Sequence, residues 1–438
     1  MNLAGIAFGT LFSMFQGPVQ TGPLTLDEAL KIAEQNAFAI KIQQSIIEQN
    51  RQRIAEARAN MGPKVTISGT YTRFEKAGTS TFGGQSIVTQ PIDSKQVSAT
   101  ASIPIDIAGN LGRLVQAARE REESARNTLR AAVSDVRLNT KQAYFNVLRN
   151  EGLVGVAEQR VVDAQEQLLN AQRLFAQQQV ARVDVTRFET QLSQAQAELI
   201  AAKNARQLSH QQFNLTLARP IETEVQLAPV TELPPIQLTP DTLVQTAQAQ
   251  RPELLALGDT LQALANIRRA QEAGMNPSLG FSLQHNRPIG AAGANSGGPQ
   301  TFGTLQLSLP VFDSGLTRAK VRAARQDEEQ MRINIEQAKL NISQEVRTAL
   351  ANLAGARARL DNAEAQVTLA TEVLRLARVR QSAGAGTYIE VIDAETALTA
   401  ARNALVSARY DYLTSYAQLQ RAVGSDSLTA PATTGGTK

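Results

Sequence analysis

Few side chains in this sequence could do chemistry, and their spacing limits what that chemistry is. Glu390 and Asp393 lie three apart in GAGTYIEVIDAETAL, which puts both carboxylates on one face of a helix. The only histidines, His210 and His285, have no partner at metal-ligand spacing and read as ordinary surface or rim residues. Cysteine is absent, so a disulfide framework, a thiolate zinc site and a thiol nucleophile are excluded. No phosphate loop, nucleophile elbow or paired catalytic acid stands out, and no cofactor is implied. Asp327, Glu328 and Glu329 read as a solvated coiled-coil face, and Tyr410, Tyr412 and Tyr416, at helical spacing, as packing residues. An isolated acidic pair on a helix is also most simply a wetted face. The expectation is a protein that is not an enzyme. What Glu390 and Asp393 do then depends on the elements that hold them.

Those elements are mostly long helices. Ala, Gln, Leu, Glu and Arg dominate, aromatics are only 4%, and Trp is absent, a composition suited to helices with small-residue seams. The net charge of +4 is small for 438 residues and its cations are interspersed with acids, so no nucleic-acid partner is expected. No run of about 20 apolar residues predicts a transmembrane helix. Residues 1–22 contain an apolar stretch from Leu3 to Phe15 without a basic flank, expected to be a weak signal sequence or a disordered N-terminus. With no Cys, lipid attachment to an N-terminal cysteine is not expected.

The sequence repeats itself. A shift of 214 sets Leu24 on Leu238, Met61 on Met275, Pro63 on Pro277 and Ser68 on Ser282. The shift then becomes 206, and Ser102, Pro104 and Gly109 meet Ser308, Pro310 and Gly315. VQAAREREE likewise meets VRAARQDEE, so the chain reads as a duplication. The first repeat, 23–217, is expected to hold a helix at 24–60, strands at 64–74 and 96–106, and a helical hairpin at 110–217 with its tip near 178–184. A linker at 218–237 leads to the second repeat, 238–424. That repeat is expected to hold a helix at 240–274, strands at 278–286 and 303–312, and a hairpin at 316–424 with its tip near 383–388. Residues 425–438 read as a flexible tail. Leu192, Ala195, Leu199 and Ala202 step by 3, 4 and 3, and Leu398, Ala401, Leu405 and Ala408 match them, a heptad seam of a coiled coil.

The strands are the unusual part. Each alternates apolar residues with small uncharged polar ones, including Thr66 and Ser68, Thr100 and Ser102, Ser282, and Gln306 and Ser308. Their length of about 10 residues suits a tilted strand of an outer-membrane barrel. In such a barrel the apolar parity faces lipid and the Ser/Thr/Gln parity lines a wet lumen. Four strands cannot close a membrane barrel, which needs at least about eight, whereas three copies supply twelve.

The duplicated plan, the LTLDEAL opening, SLPVFDSGLTRAKVRAA, GAGTYIEVIDAETAL and the ending ARYDYLTSYAQLQRAVG together resemble the TolC family of outer-membrane efflux proteins. The resemblance covers about residues 24 to 424. It implies a mainly α fold with membrane β: a homotrimer whose 12-stranded β-barrel continues as a long α-helical coiled-coil tube across the periplasm, with residues 218–237 at a mid-tube belt. It also implies an exit duct for small molecules or proteins in a tripartite efflux or type I secretion system. The partners it implies are outer-membrane lipid, a periplasmic adaptor (membrane fusion) protein, and an inner-membrane pump of the resistance-nodulation-division (RND), ABC or major-facilitator (MFS) type. By the resemblance, Glu390, Asp393 and Asp184 belong to a periplasmic gate or selectivity ring, while Gly384, Gly386, Thr387, Arg182, Val183 and Arg187 belong to hairpin tips that meet the adaptor. The first tip departs from the family pattern: it lacks the glycine, and Arg187 stands where the repeat places Asp393. The competing expectations are a periplasmic adaptor and a coiled-coil scaffold without a pore; neither calls for two hairpins at a fixed offset together with four such strands.

Overall fold

The computed structural model of the chain describes residues 22–230, 233–234, 239–290 and 298–425. The expected signal segment, the C-terminal tail beyond Ser425 and part of the linker lie outside the described residues. The chain divides into two compact units. One comprises residues up to Lys41, Ala132–Gln250 and Ile342 onward, and the other Ile42–Ala131 and Arg251–Asn341.

Each repeat opens with two helices where the sequence suggested one. Helix α1 (Leu26–Asn36) begins with a capping box: the Glu28 N–H donates to the Thr25 hydroxyl, and the Thr25 N–H donates to the Glu28 carboxylate at 3.0 Å. It stops at Ala37, whose ψ of 126° is non-helical, and α2 (Phe38–Ala59) follows. In the second repeat α5 (Pro240–Gln250) and α6 (Pro252–Glu272) are parted at Arg251, the residue that the 214 shift sets on Ala37. There the cause is plain, because Pro252 crowds the preceding residue out of the α region. The break at Ala37 has no following proline.

Four strands form one antiparallel sheet in the order β1 (Lys64–Arg73), β4 (Asp93–Ile105), β5 (Ser278–Pro288) and β6 (Gln300–Ser308). The two repeats therefore join at the β4–β5 pair, leaving β1 and β6 as edges. The segment expected as a polar loop before β4 holds a separate hairpin, β2 (Gly78–Phe82) and β3 (Gln85–Gln90). Gly83 and Gly84, with φ of 59° and 83°, make its two-residue turn in the left-handed conformation that only glycine adopts without strain.

After β4 and β6 the chain turns into helices α3 (Asn110–Ala176) and α7 (Leu316–Ser382), each 67 residues long. At 1.5 Å per residue, such a helix runs about 100 Å. Both starts are fixed by an aspartate that accepts from free N–H groups of the first turn. Asp106 accepts from Gly112 at 2.8 Å, and Asp313 accepts from Gly315 and Thr317 at 2.9 and 2.7 Å. The Thr317 side chain, together with these backbone bonds, holds the Asp313 carboxyl below its ordinary value. The return helices are α4 (Arg182–Thr216) and α8 (Tyr388–Val423).

The core lies between helices. Ala195 is buried on α4, and Leu398, Ala401 and Ala408 are buried on α8, so the 3–4–3 seam is a packing seam. Leu24 pairs in parallel with Leu227, and the Tyr144 hydroxyl is shared between the carbonyls of Leu24 and Ala228 at 2.9 and 2.7 Å. Burial pushes the Tyr144 phenol up to about 12. Tyr412 is likewise a packing residue, buried with its hydroxyl donating to the Pro234 carbonyl at 2.7 Å. One expectation fails: Glu328 is buried rather than solvated. It is held by Arg268 at 2.6 Å and Arg332 at 3.5 Å, because its helix face packs on α6 instead of meeting water.

Candidate functional site

The tip of the second hairpin spans Ala383 to Thr387, between α7 and α8. Gly384 takes φ of 72°, and a Cβ on Gly386 would stand 3.1 Å from the backbone nitrogen of Gln381, so one glycine makes the reversal and the other the close approach. Thr387 caps α8, its hydroxyl accepting from the Glu390 N–H at 3.3 Å. Arg380, in the last turn of α7, reaches across the turn. Its guanidinium donates to the Ala385 carbonyl at 3.2 Å and pairs with Glu390 at 3.3 Å. Asp393 is exposed one turn further along α8.

The first tip replaces this arrangement with a different one. Without a Gly384 equivalent, Gln178 itself takes positive φ, 61°. Ala181 caps α4 without a side-chain bond. Arg182 and Val183 are exposed in the first turn, and Asp184 pairs with Arg187 at 3.5 Å. The substitution that breaks the acidic pattern thus supplies a cation for the neighbouring carboxylate.

Between the hairpins the packing is well defined. Phe188 of α4 meets Tyr388 of α8 edge to face at 5.9 Å, and Ala171 of α3 packs beside Val185 and Phe188. Glu395 is buried, accepting from Arg378 of α7 at 2.9 Å and Gln167 of α3 at 3.1 Å. Arg160 of α3, also buried, donates to Gln191 of α4 at 3.0 Å and Thr396 of α8 at 3.3 Å. These two polar knots tie all four helices near the tips. They were not singled out from sequence, where Arg160 and Glu395 look like any charged helix residue; only the pairing of separate helices reveals them.

The histidines sit elsewhere. His210 lies 3.5 Å from Glu151, and burial lowers its pKa while raising that of Glu151. His285 bonds to the Thr301 hydroxyl across strands at 2.8 Å. Among the described residues, no cluster of three or more His or acidic side chains could hold a metal ion.

The sheet register decides which strand residues share a face. Thr66 is opposite Thr100, which is opposite Gln284; Ser102 is opposite Ser282, which is opposite Thr304; Ser278 is opposite Ser308, and Gly280 opposite Gln306. Ser68 and Ser98 are also opposite, with hydroxyls 2.7 Å apart. Cross-strand partners point the same way, so these residues form one continuous polar face, interrupted by Phe302 beside Gln284. On the other face Val65, Ala101 and Leu283 form one row, and Ile103, Phe281 and Leu305 another. Val65, Ile67, Leu305 and Leu307 are exposed large apolar residues. No helix among the described residues is long and apolar enough to cross a membrane. The sheet carries an exposed apolar face.

Comparison with known proteins agrees with this geometry. Residues 29–218 and 243–425 match the family model of the outer membrane efflux protein. The chain is 24% identical to the alkaline protease secretion protein AprF of Pseudomonas aeruginosa, over 66% of this chain and 62% of that protein's length. It is 22% identical to the outer membrane efflux protein BepC of Brucella suis, over 94% of this chain and 88% of that one. Its fold superposes on the crystal structure of CusC with a TM-score of 0.77 at 19% identity, covering 91% of this chain and 92% of the other. The chain belongs to the outer membrane efflux protein family and is an outer-membrane export channel, not an enzyme.

Proposed function

We propose that three copies of this chain assemble into one exit duct, receiving cargo from a periplasmic adaptor and an inner-membrane RND, ABC or MFS pump. The observation that carries the reading is the four-stranded sheet with an exposed apolar face and two edges, β1 and β6. Backbone groups at such edges have no water to bond in a bilayer, and each one left unpaired costs several kcal/mol. Pairing β1 of one copy with β6 of the next satisfies them, and three copies close twelve strands. The polar face, with Thr66, Ser68, Thr100, Ser102, Ser282, Gln306 and Ser308, then lines the lumen, while outer-membrane lipid meets the opposite face.

In the same reading the hairpin tips form the periplasmic entrance. Asp393, exposed, supplies a ring of carboxylates that favours cations. Glu390 and Asp184, each held by an arginine, shape the turns beside it. Gly384, Gly386, Thr387, Arg182, Val183 and Arg187 form the surface offered to the adaptor. CusC is named a cation efflux system protein and AprF an alkaline protease secretion protein, so relatives of this fold serve both small and large cargo. Sedimentation of the detergent-solubilised protein should give a mass of three chains. A monomer that keeps its β signal would defeat the reading.

A further inference from the structure

The apolar face of the sheet changes character toward its loop end. Its rows run from Ile105, Leu279 and Leu307 at the end joined to the long helices, through Ala101 and Leu283, to Val97 opposite Arg287 and Tyr71 opposite Lys95. Arg73 and Asp93 follow as the last pair. Asp93 is spoken for: it accepts from the Tyr71 hydroxyl at 2.7 Å and lies 3.8 Å from Arg73. Lys95 stands over the Tyr71 ring at 5.9 Å. Neither Lys95 nor Arg287 has a carboxylate partner among the described residues, and both are exposed. At the same level the polar face carries Thr70, Thr72, Ser94, Gln96 and Asn286, none of them charged. At this level, uncompensated positive charge is confined to the otherwise largely apolar face.

The height of these cations matters. Ile105 to Lys95 is ten residues along β4. At about 3.3 Å per residue and a strand tilt of about 40°, that is roughly 25 Å along the barrel axis, the height of the lipid-facing apolar band of such barrels. Lys95 therefore lies at the upper limit of the band, where hydrocarbon gives way to headgroups, with Tyr71 beside it as an interfacial aromatic. Arg287, opposite Val97, stands two residues lower with a side chain long enough to reach the same level. Because the helices leave from the opposite end of every strand, this end faces the cell exterior.

We propose that Lys95 and Arg287 form a binding site for the phosphate groups of outer-leaflet lipid. Arg287 presents a planar donor fork that suits a phosphate, and Lys95 adds a second positive charge on the neighbouring strand. The acyl chains of the same lipid would lie on Val97, Leu283 and Phe281 below. The site rests on the barrel reading given above.

The full-length protein in detergent, followed by native mass spectrometry, tests this with three probes: bis-phosphorylated lipid A, the same lipid with both phosphates removed, and inorganic phosphate. The unchanged protein is expected to retain the phosphorylated lipid at least about tenfold more tightly than the dephosphorylated one. The K95Q/R287Q pair should lose that preference, while the K95R/R287K pair, which keeps both charges, should retain it. Equal retention of the two lipids by the unchanged protein would overturn the site. So would an undiminished preference in K95Q/R287Q, or displacement by equimolar inorganic phosphate, which would make the site a free-anion site. Conductance in a planar bilayer of neutral lipid separates the two readings. Its loss defeats the barrel, whereas intact conductance without lipid preference defeats only the phosphate site.

Discussion

Glu390 and Asp393 share a helix face but differ in surroundings. Arg380 compensates Glu390 at 3.3 Å, whereas Asp393 is exposed without an ion partner among the described residues. Their substitutions should therefore separate. Asp393→Asn is expected to lower cation preference and weaken block by a multivalent cation from the periplasmic side, and Glu390→Gln should do so less. Reversal potentials under a salt gradient measure this; an equal or larger effect of Glu390→Gln would show that Arg380 does not mask its charge. Tyr144 is a residue of a different kind, holding the Leu24 and Ala228 strands by one hydroxyl. Tyr144→Phe leaves buried carbonyls short of a donor, at a cost of about 1–3 kcal/mol in chemical unfolding. The pH dependence has a definite sign. A phenol raised from 10.0 to about 12 stays protonated in the folded state after the unfolded chain has lost its proton. Its contribution is therefore fully present below pH 10 and is lost as pH rises toward 12. Tyr144→Phe should flatten that loss; an unchanged alkaline slope would assign it to the other buried tyrosines.

At the scale of elements, the long helices depend on close approach. A Cβ added at Gly152 of α3 would stand 2.9 Å from a Val406 methyl carbon of α8, and Ala195 and Ala401 are buried in the seams of the return helices. Interiors packed this closely have no room for an aromatic ring. Ala195→Phe or Ala401→Phe should cost about 1–3 kcal/mol each, read as a lower midpoint of thermal or denaturant unfolding. If both variants unfold like the parent, the alanines are not the seam. The same scale shows what the pattern of residues left open. Glu328 looked wet because its neighbours Asp327 and Glu329 are acidic, and only the crossing of α6 and α7 put Arg268 against it. The β2–β3 hairpin was hidden because a Gly/Ser/Thr-rich stretch suits an exposed loop as well as a short ribbon.

The whole molecule is organised by the division of the sheet into two faces. The native chain has no cysteine, so introduced thiols report without background. Thr100 and Ser282 lie on the polar face, and Ala101 and Phe281 on the apolar one. Cysteines at the first two positions should react with a membrane-impermeant thiol reagent applied through the pore, and cysteines at the last two should stay protected by lipid. Comparable labelling of both sets would refute a water-filled lumen on the Ser/Thr side.

Much of this was legible in the residues. Hydrophobic period distinguishes strand from long helix, since side chains repeat every 2 residues in one and every 3.6 in the other. The duplication and the glycine-bearing tip motif also depend only on local chain requirements, such as the positive φ at Gly384. The polar strand residues could be named from alternation, because a strand cannot put Thr100 and Ala101 on the same side. Partners distant in sequence could not be named. That β4 pairs with β5 and so joins the repeats, that Arg380 neutralises Glu390 while Asp393 stays bare, and that Lys95 and Arg287 are diagonal neighbours on the apolar face all follow from register and helix crossing. Those are set by the packing of the complete fold, in which a charge is described by what stands opposite it and not by its neighbours along the chain.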